Sequence, residues 1–268
     1  MQERIEKISS LQNARVKQVV ALSQKSSERR KQGLFVVEGM RELLHCLHQG
    51  YKAESLYVCD DVAHDDAEMR ELLGLAGEGT VCCVTAPVYG KMAYREGTEG
   101  VLGVIHACSA SLEDLPLGER PLVVVAEGVE KPGNLGAILR SADAANADAV
   151  IFCDTPTDLY NPNVIRASIG AVFTVPCAVA TSEECILFLK SKGIQILTAQ
   201  LQDSELYYDT DMTAPTAIVM GTESTGLTDQ WRKAADRHIR IPMLGSLDSL
   251  NVSVSTAILL FEAVRQRN

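Results

Sequence analysis

Short apolar runs alternate with amphipathic stretches along the whole chain, and their spacing sets the expected elements. Leu34-Phe35-Val36-Val37, Leu56-Tyr57-Val58-Cys59 and Val81-Cys82-Cys83-Val84 predict strands, as do residues 101–107. Between them, residues 40–49, 66–75 and 87–94 read as helices. This order predicts a small α/β domain over residues 1–108. Residues 109–120 are polar, contain Pro116 and Gly118, and predict a linker. A second alternation fills residues 121–268. Strands are expected at 122–126, 149–153, 194–199, 217–220 and 239–241, and helices at 135–145, 162–170, 183–192, 229–235 and 252–265. These strands are continuous apolar runs, the pattern of a parallel sheet covered on both faces. Ligands on such sheets bind beyond the carboxyl ends of the strands, so the segments that follow each strand are the places to search.

Composition narrows the class. Of 268 residues, 46% are hydrophobic and 22% charged, as in an ordinary globular protein. No run approaches the roughly 20 apolar residues of a membrane helix. Met1-Gln2-Glu3-Arg4 leads into no apolar signal core, so a cytoplasmic protein without a membrane partner is expected. Eight cysteines occur without a C-x-x-C spacing, which reads as reduced, buried thiols and no metal site. The net charge of −10 argues against a nonspecific nucleic-acid binder. The charge is uneven, however. Residues 4–31 carry +6, which leaves −16 on the rest. A basic first helix on an acidic body is either a phosphate-contacting arm or a solvated helix face.

Three post-strand segments carry candidate chemistry. In Glu127-Gly128-Val129-Glu130-Lys131-Pro132-Gly133-Asn134, Asn134 is expected to cap the next helix. Arg140, six residues on, is expected to face the same loop region. In Gly221-Thr222-Glu223-Ser224-Thr225-Gly226-Leu227, two glycines bracket a carboxylate. Gly221 would let a ligand approach the backbone, and Glu223 would accept hydrogen bonds or orient an arginine. In the third segment, from Ile241 to Val254, Ser249 or Asn251 would cap the last helix, and residues 244–250 mix apolar side chains with backbone polar groups, which suits adenine. Each segment also has a plain reading as a capped helix or a tight turn. The five histidines lie outside these loops, and no Ser-His-Asp set is legible. The absence of G-x-G-x-x-G and of the P-loop pattern removes the usual marker of a dinucleotide or nucleoside triphosphate site.

Taken together and in order, the three loops resemble the signature motifs of the SpoU/TrmH family of SPOUT methyltransferases. The first is similar to Pro132-Gly133-Asn134-Leu135-Gly136-Ala137-Ile138-Leu139-Arg140. The second is similar to Met220-Gly221-Thr222-Glu223-Ser224-Thr225-Gly226-Leu227. The third is similar to Ile241-Pro242-Met243 with Ser249-Leu250-Asn251-Val252-Ser253-Val254. Ile8-Ser9-Ser10-Leu11-Gln12-Asn13 and Phe35-Val36-Val37-Glu38-Gly39-Met40-Arg41 look like the family's ribosomal-protein-like RNA-recognition domain. Departures are Lys131 where many relatives carry Asp, Asn146 where Gly often ends the helix, and Thr222 where Asn is frequent.

The resemblance implies a C-terminal SPOUT domain whose last segments form a trefoil knot, and a homodimer with the site near its interface. It implies S-adenosylmethionine as cofactor, held by Gly221, Ile241 and Leu250, with Thr198 a weaker candidate. Arg140, Asn134, Glu223, Ser249 and Asn251 map to the catalytic constellation. The implied activity is methylation of a ribose 2′-hydroxyl, with large-subunit ribosomal RNA favoured over tRNA because of the extra N-terminal domain. A resistance-conferring ribosomal RNA methyltransferase shares this layout. The alternative of another class is a non-catalytic RNA-binding protein that keeps the fold.

Overall fold

The computed structural model describes residues 6–64, 66–77, 81–94, 99–109 and 111–268. Arg4, counted in the basic segment, and Ala110, in the expected linker, lie outside the described residues. The chain forms two compact units. One comprises Met1–Cys108 with Asp158–Thr174, the other Ser109–Thr157 with Val175–Asn268.

In the first unit the elements run β1 (Glu6–Ile8), α1 (Ala14–Gln24), α2 (Ser26–Gln32), β2 (Leu34–Glu38), α3 (Met40–His48), β3 (Ala53–Val58), α4 (Ala67–Ala76), β4 (Val81–Val84), α5 (Ala86–Met92) and β5 (Val101–His106). The sheet order is β1-β4-β3-β5-β2, with β5 antiparallel to both neighbours and the other pairs parallel. Side chains alternate across β2. Leu34 and Val36 join the core formed with Val16, Val19 and Leu22 of α1 and Val88 of α5. Phe35 stacks on Tyr160 at 4.1 Å between centroids and meets Tyr51 edge-on.

The basic segment is not the single helix expected from its charge. It is β1, α1 and α2, interrupted at Lys25, whose backbone is extended. Asn13 opens α1 by accepting the Arg15 amide at 2.8 Å. Two of the basic side chains have acidic partners, one at the surface and one buried. Arg15 pairs with Glu6 at 2.9 Å. Arg29, only 5% exposed, pairs with Asp158 at 2.6 Å and donates to the Leu22 carbonyl.

The second unit begins with β6 (Leu122–Glu127), α6 (Pro132–Ala144) and β7 (Ala149–Cys153). The chain then enters the first unit as α7 (Pro162–Ser168) and α8 (Ala171–Thr174), where the sequence pattern predicts one helix. Ile169 and Gly170, both at positive φ, separate the two. It returns as β8 (Cys177–Ala180), α9 (Ser182–Ser191), β9 (Gln195–Ala199), β10 (Glu205–Leu206), β11 (Thr216–Met220), α10 (Asp229–Ala234), β12 (Arg237–Arg240) and α11 (Val252–Arg267). All seven strands are parallel, in the order β10-β12-β9-β11-β6-β7-β8. Residues 122–126 are buried throughout, which is why they read as an unbroken apolar run. Each large side chain so placed contributes about 1.5–3 kcal/mol. One face packs on α9 and α10 through Cys185, Leu189 and Trp231. On the other side of the sheet, α6 packs with α11.

The backbone accommodates the Asn146 departure, since Asn146 adopts φ 49°, a left-handed conformation that asparagine tolerates. All eight cysteines are free thiols, five of them buried. No described helix is long and apolar enough to cross a membrane.

Candidate active site

Four strands of the second unit, β6, β9, β11 and β12, end at the same edge, and the candidate segments follow three of them. Pro132 starts α6 with Lys131 as its N-cap residue, because proline is pre-shaped for the first helical position. Asn134 is therefore two residues inside the helix and does not cap it, contrary to the sequence expectation. Its side chain turns to the neighbouring loops instead.

There it meets Glu223. Oε1 of Glu223 accepts from Asn134 Nδ2 at 3.2 Å and from Asn251 Nδ2 at 2.7 Å, and Oε2 accepts from Lys131 Nζ at 2.7 Å. Asn251 Nδ2 also donates to Asn134 Oδ1 at 3.0 Å. The Lys131 ammonium foremost, with help from Asn134 and the Val252 amide, holds the Glu223 carboxyl below the usual glutamate range. Asn251 has a second task. Its Oδ1 accepts the Ser253 amide at 3.0 Å and so caps α11, as expected. One carboxylate thus joins all three loops.

Backbone geometry explains the glycines of the second loop. A Cβ on Gly221 would lie 2.4 Å from the carbonyl carbon of Gly226 and 2.5 Å from the Leu227 nitrogen. The loop closes on itself through Gly226 N donating to Thr222 O at 3.1 Å, with Gly226 at φ 67°. Below it lies a buried network that the sequence did not announce. Glu127 accepts from the hydroxyl and amide of Thr228, at 2.6 and 2.9 Å. Ser182 accepts from the Trp231 indole at 2.9 Å. Glu127 and Ser182 thereby fix the start of α10 against β6.

Two cavities flank the second loop and share Thr222, Glu223, Ser224 and Val252 as wall residues. The larger, about 400 Å³, is lined by Gly221, Ile241, Leu250 and Ser249, together with Gln200, Met243, Arg232 and Leu259. The smaller, about 160 Å³, is lined by Gly128, Lys131 and Asn134. Gly221, Ile241 and Leu250 are therefore brought together as expected. Ser249 lies on the wall of the larger cavity and donates to Asp248 at 3.2 Å. Thr198 is not on either wall. It is fully buried one residue short of the strand end and bonded to His238 Nδ1 at 2.6 Å, and Gln200 occupies the rim instead.

Arg140 is exposed and has no side-chain partner among the described residues. It does not share the loop region of Asn134. Six residues at 100° each leave it about 120° round the helix and about 9 Å along it. Gln200 and Arg232 were missed by sequence reasoning, because they lie outside the three motif loops and only folding brings them to the wall, where Met243 of the third motif joins them.

Residues 121–261 match the SpoU rRNA Methylase family, and residues 13–103 match the MRM3-like substrate binding domain. The chain is 30% identical over 262 residues to the 23S rRNA (uridine(2479)-2'-O)-methyltransferase of Streptomyces viridochromogenes, covering 95% of this chain and 91% of that protein. It is 34% identical over 245 residues to the 23S rRNA (guanosine-2'-O-)-methyltransferase RlmB of Pseudomonas syringae pv. tomato, covering 88% and 96%. Among solved structures it is similar to an AdoMet-bound rRNA methyltransferase from Sinorhizobium meliloti, with TM-score 0.89, 31% identity and coverage of 97% and 98%. It is likewise similar to an RNA 2'-O ribose methyltransferase, with TM-score 0.83, 36% identity and coverage of 97% and 99%.

Proposed function

Because the chain belongs to the SpoU rRNA methylase family, we propose that it is an S-adenosylmethionine-dependent enzyme that methylates a ribose 2′-hydroxyl in large-subunit ribosomal RNA. The observation that carries this reading is the junction of Asn134, Glu223 and Asn251, which ties three loops into one rigid edge beside a nucleoside-sized cavity. A protein that only bound RNA would need no such junction between a cofactor-sized pocket and a second, smaller one.

The larger cavity suits the cofactor. At about 400 Å³ it falls in the range of small-ligand sites. It offers apolar walls at Ile241, Leu250 and Leu259 for a purine. Gly221 lets the second loop fold tightly against its own backbone at Gly226 and Leu227 beside this space. Gln200 turns a buried Oε1 with no partner to its surroundings, an acceptor that a ligand donor would satisfy. When bound, S-adenosylmethionine supplies an activated methyl group on a sulfonium. The chain's own residues do the rest. Lys131, Asn134, Glu223 and Asn251 hold the loops in register, and the smaller cavity beside them suits the target ribose.

Arg140 takes a different part. A guanidinium offers donors and no acceptor, so Arg140 serves as an electrostatic group at the substrate phosphate or the developing alkoxide rather than as a base. Its distance from the Asn134 cluster on the same helix supports a role across a homodimer, where a second copy presents Arg140 to this site. The reading includes that homodimer, a trefoil threading of the C-terminal segments and a cytoplasmic location. Full-length similarity to two 23S rRNA methyltransferases supports ribosomal RNA over tRNA.

Titration calorimetry with S-adenosylmethionine and S-adenosylhomocysteine tests the cofactor, and ribose-methylation mapping of 23S rRNA from a deletion strain tests the substrate. Binding, together with one lost methylation, is expected. A folded protein that binds neither ligand overturns the reading. Arg140→Ala should lower single-turnover methylation by about 10²-fold or more while leaving S-adenosylhomocysteine affinity intact.

A further inference from the structure

We propose that Arg232 binds the α-carboxylate of the cofactor's methionine portion, an assignment that rests on the larger cavity being the cofactor site. Arg232 lies on α10, outside the three motif loops, and neither its position nor its neighbours mark it in the sequence. In the fold it becomes part of the cavity wall. Its Nε is buried and has no hydrogen-bond partner. Its nearest acid is Asp229, whose Oδ1 stands 3.8 Å from Nη1, beyond hydrogen-bonding distance, on a side chain that is 81% exposed. Nη2 lies 4.0 Å from the point where a Gly226 Cβ would sit, so the guanidinium reaches the glycine end of the second loop.

Nε is buried without an acceptor, while the side chain as a whole is 39% exposed and lines a ligand-sized space, which leaves its Nη groups to meet an anion there. Arginine has donors only, arranged in a planar fork that matches a carboxylate. The chemistry of the cofactor then selects the partner. Adenine and ribose are neutral, and the sulfonium and α-ammonium are cations that Arg232 would repel. The α-carboxylate is the anion that remains. Gln200 Oε1, the other unpartnered atom on this wall, does not discriminate in the same way, because amino, hydroxyl and ammonium groups of the ligand would each satisfy it. Arg240 is the second arginine lining the cavity, and one of its Nη groups already donates to Ser204 at 3.4 Å.

The test compares two ligands that differ in the amino-acid end. S-adenosylhomocysteine carries the carboxylate. 5′-Methylthioadenosine keeps adenine, ribose and sulfur but lacks it. Both are titrated calorimetrically into the wild-type protein and into Arg232→Gln. Loss of a charge-assisted hydrogen bond should weaken S-adenosylhomocysteine roughly ten- to a hundredfold and leave 5′-methylthioadenosine unchanged, with Arg232→Lys intermediate. Retained 5′-methylthioadenosine binding also shows that the variant is folded. Equal weakening of both ligands overturns the assignment, because Arg232 would then act through the fold of the loop. Unchanged S-adenosylhomocysteine affinity in Arg232→Gln overturns the assignment and leaves the cofactor reading standing. A wild-type protein that binds neither ligand removes both.

Discussion

Glu223 accepts from three side chains at once, and the sign of its response to pH follows from that. Its folded pKa is depressed, chiefly by Lys131. Its contribution to stability is therefore complete above the ordinary glutamate pKa of about 4.3 and disappears as pH falls through the lower folded value. Thermal unfolding of wild type and Glu223→Gln between pH 3 and 7 should show a gap at neutral pH that closes on the acid side. A gap of constant size would mean that the carboxylate's charge does not hold the loops. The sequence displayed Glu223 as an acid between two glycines, with solvation as an equally good account. What it could not display was the set of donors, because Lys131, Asn134 and Asn251 lie 92, 89 and 28 positions from Glu223 in the chain.

At the scale of elements, the strands were the legible part. Continuous apolar runs at 122–126, 149–153 and 217–220 became β6, β7 and β11 almost residue for residue, since a strand buried on both faces has no polar position to blur it. The short strands β1 and β8 were not predicted. Glu6-Lys7-Ile8 is mostly charged and gives no apolar run, whereas Cys177-Ala178-Val179-Ala180 is apolar and short, and it was passed over. Helix starts were half legible. Asn251 caps α11, yet Asn134 was passed over in favour of Lys131, because Pro132 fixed the first helical position ahead of it. Asn251→Ala should then remove two contributions at once. The lost cap costs about 1 kcal/mol of stability. The lost donor to Glu223 should reduce methylation beyond what that destabilisation explains. Chemical denaturation and single-turnover kinetics on the same variant separate the two, and a variant that loses stability alone would confine Asn251 to capping.

For the whole molecule, two surfaces make opposite demands. On α11, Val254 and Phe261 are about half exposed and lie seven residues apart on one stripe, with Leu247 exposed on the loop before it. Apolar surface of that kind is what a second copy would cover. Phe261→Glu should shift light-scattering mass from dimer to monomer and abolish methylation, since Arg140 would no longer be supplied in trans. A wild-type monomer that methylates RNA would overturn the dimer. In the first unit, by contrast, Asp158 is the partner of a buried arginine. Asp158→Ala leaves Arg29 charged and unpaired, at a cost of about 3–5 kcal/mol. Hydrogen exchange should then rise across residues 158–174 more than in β6 or β11. The fold class was readable from the order of elements, but this assignment of 158–174 was not, because the helical pattern of 162–170 looks like any crossover helix between parallel strands.

That excursion also bears on how the protein is made. A ribosome delivers the chain in order, yet the aromatic cluster around Phe35 awaits Tyr160 and Phe173. Between the emergence of residue 108 and that of residue 174, translation at about 5–20 residues/s takes about 3–13 s. During that interval the nascent first unit shows the ribosome surface a bare aromatic face and an unneutralised Arg29. The first unit therefore cannot close until residue 174 has emerged, after β6, α6 and β7 of the second unit have been made.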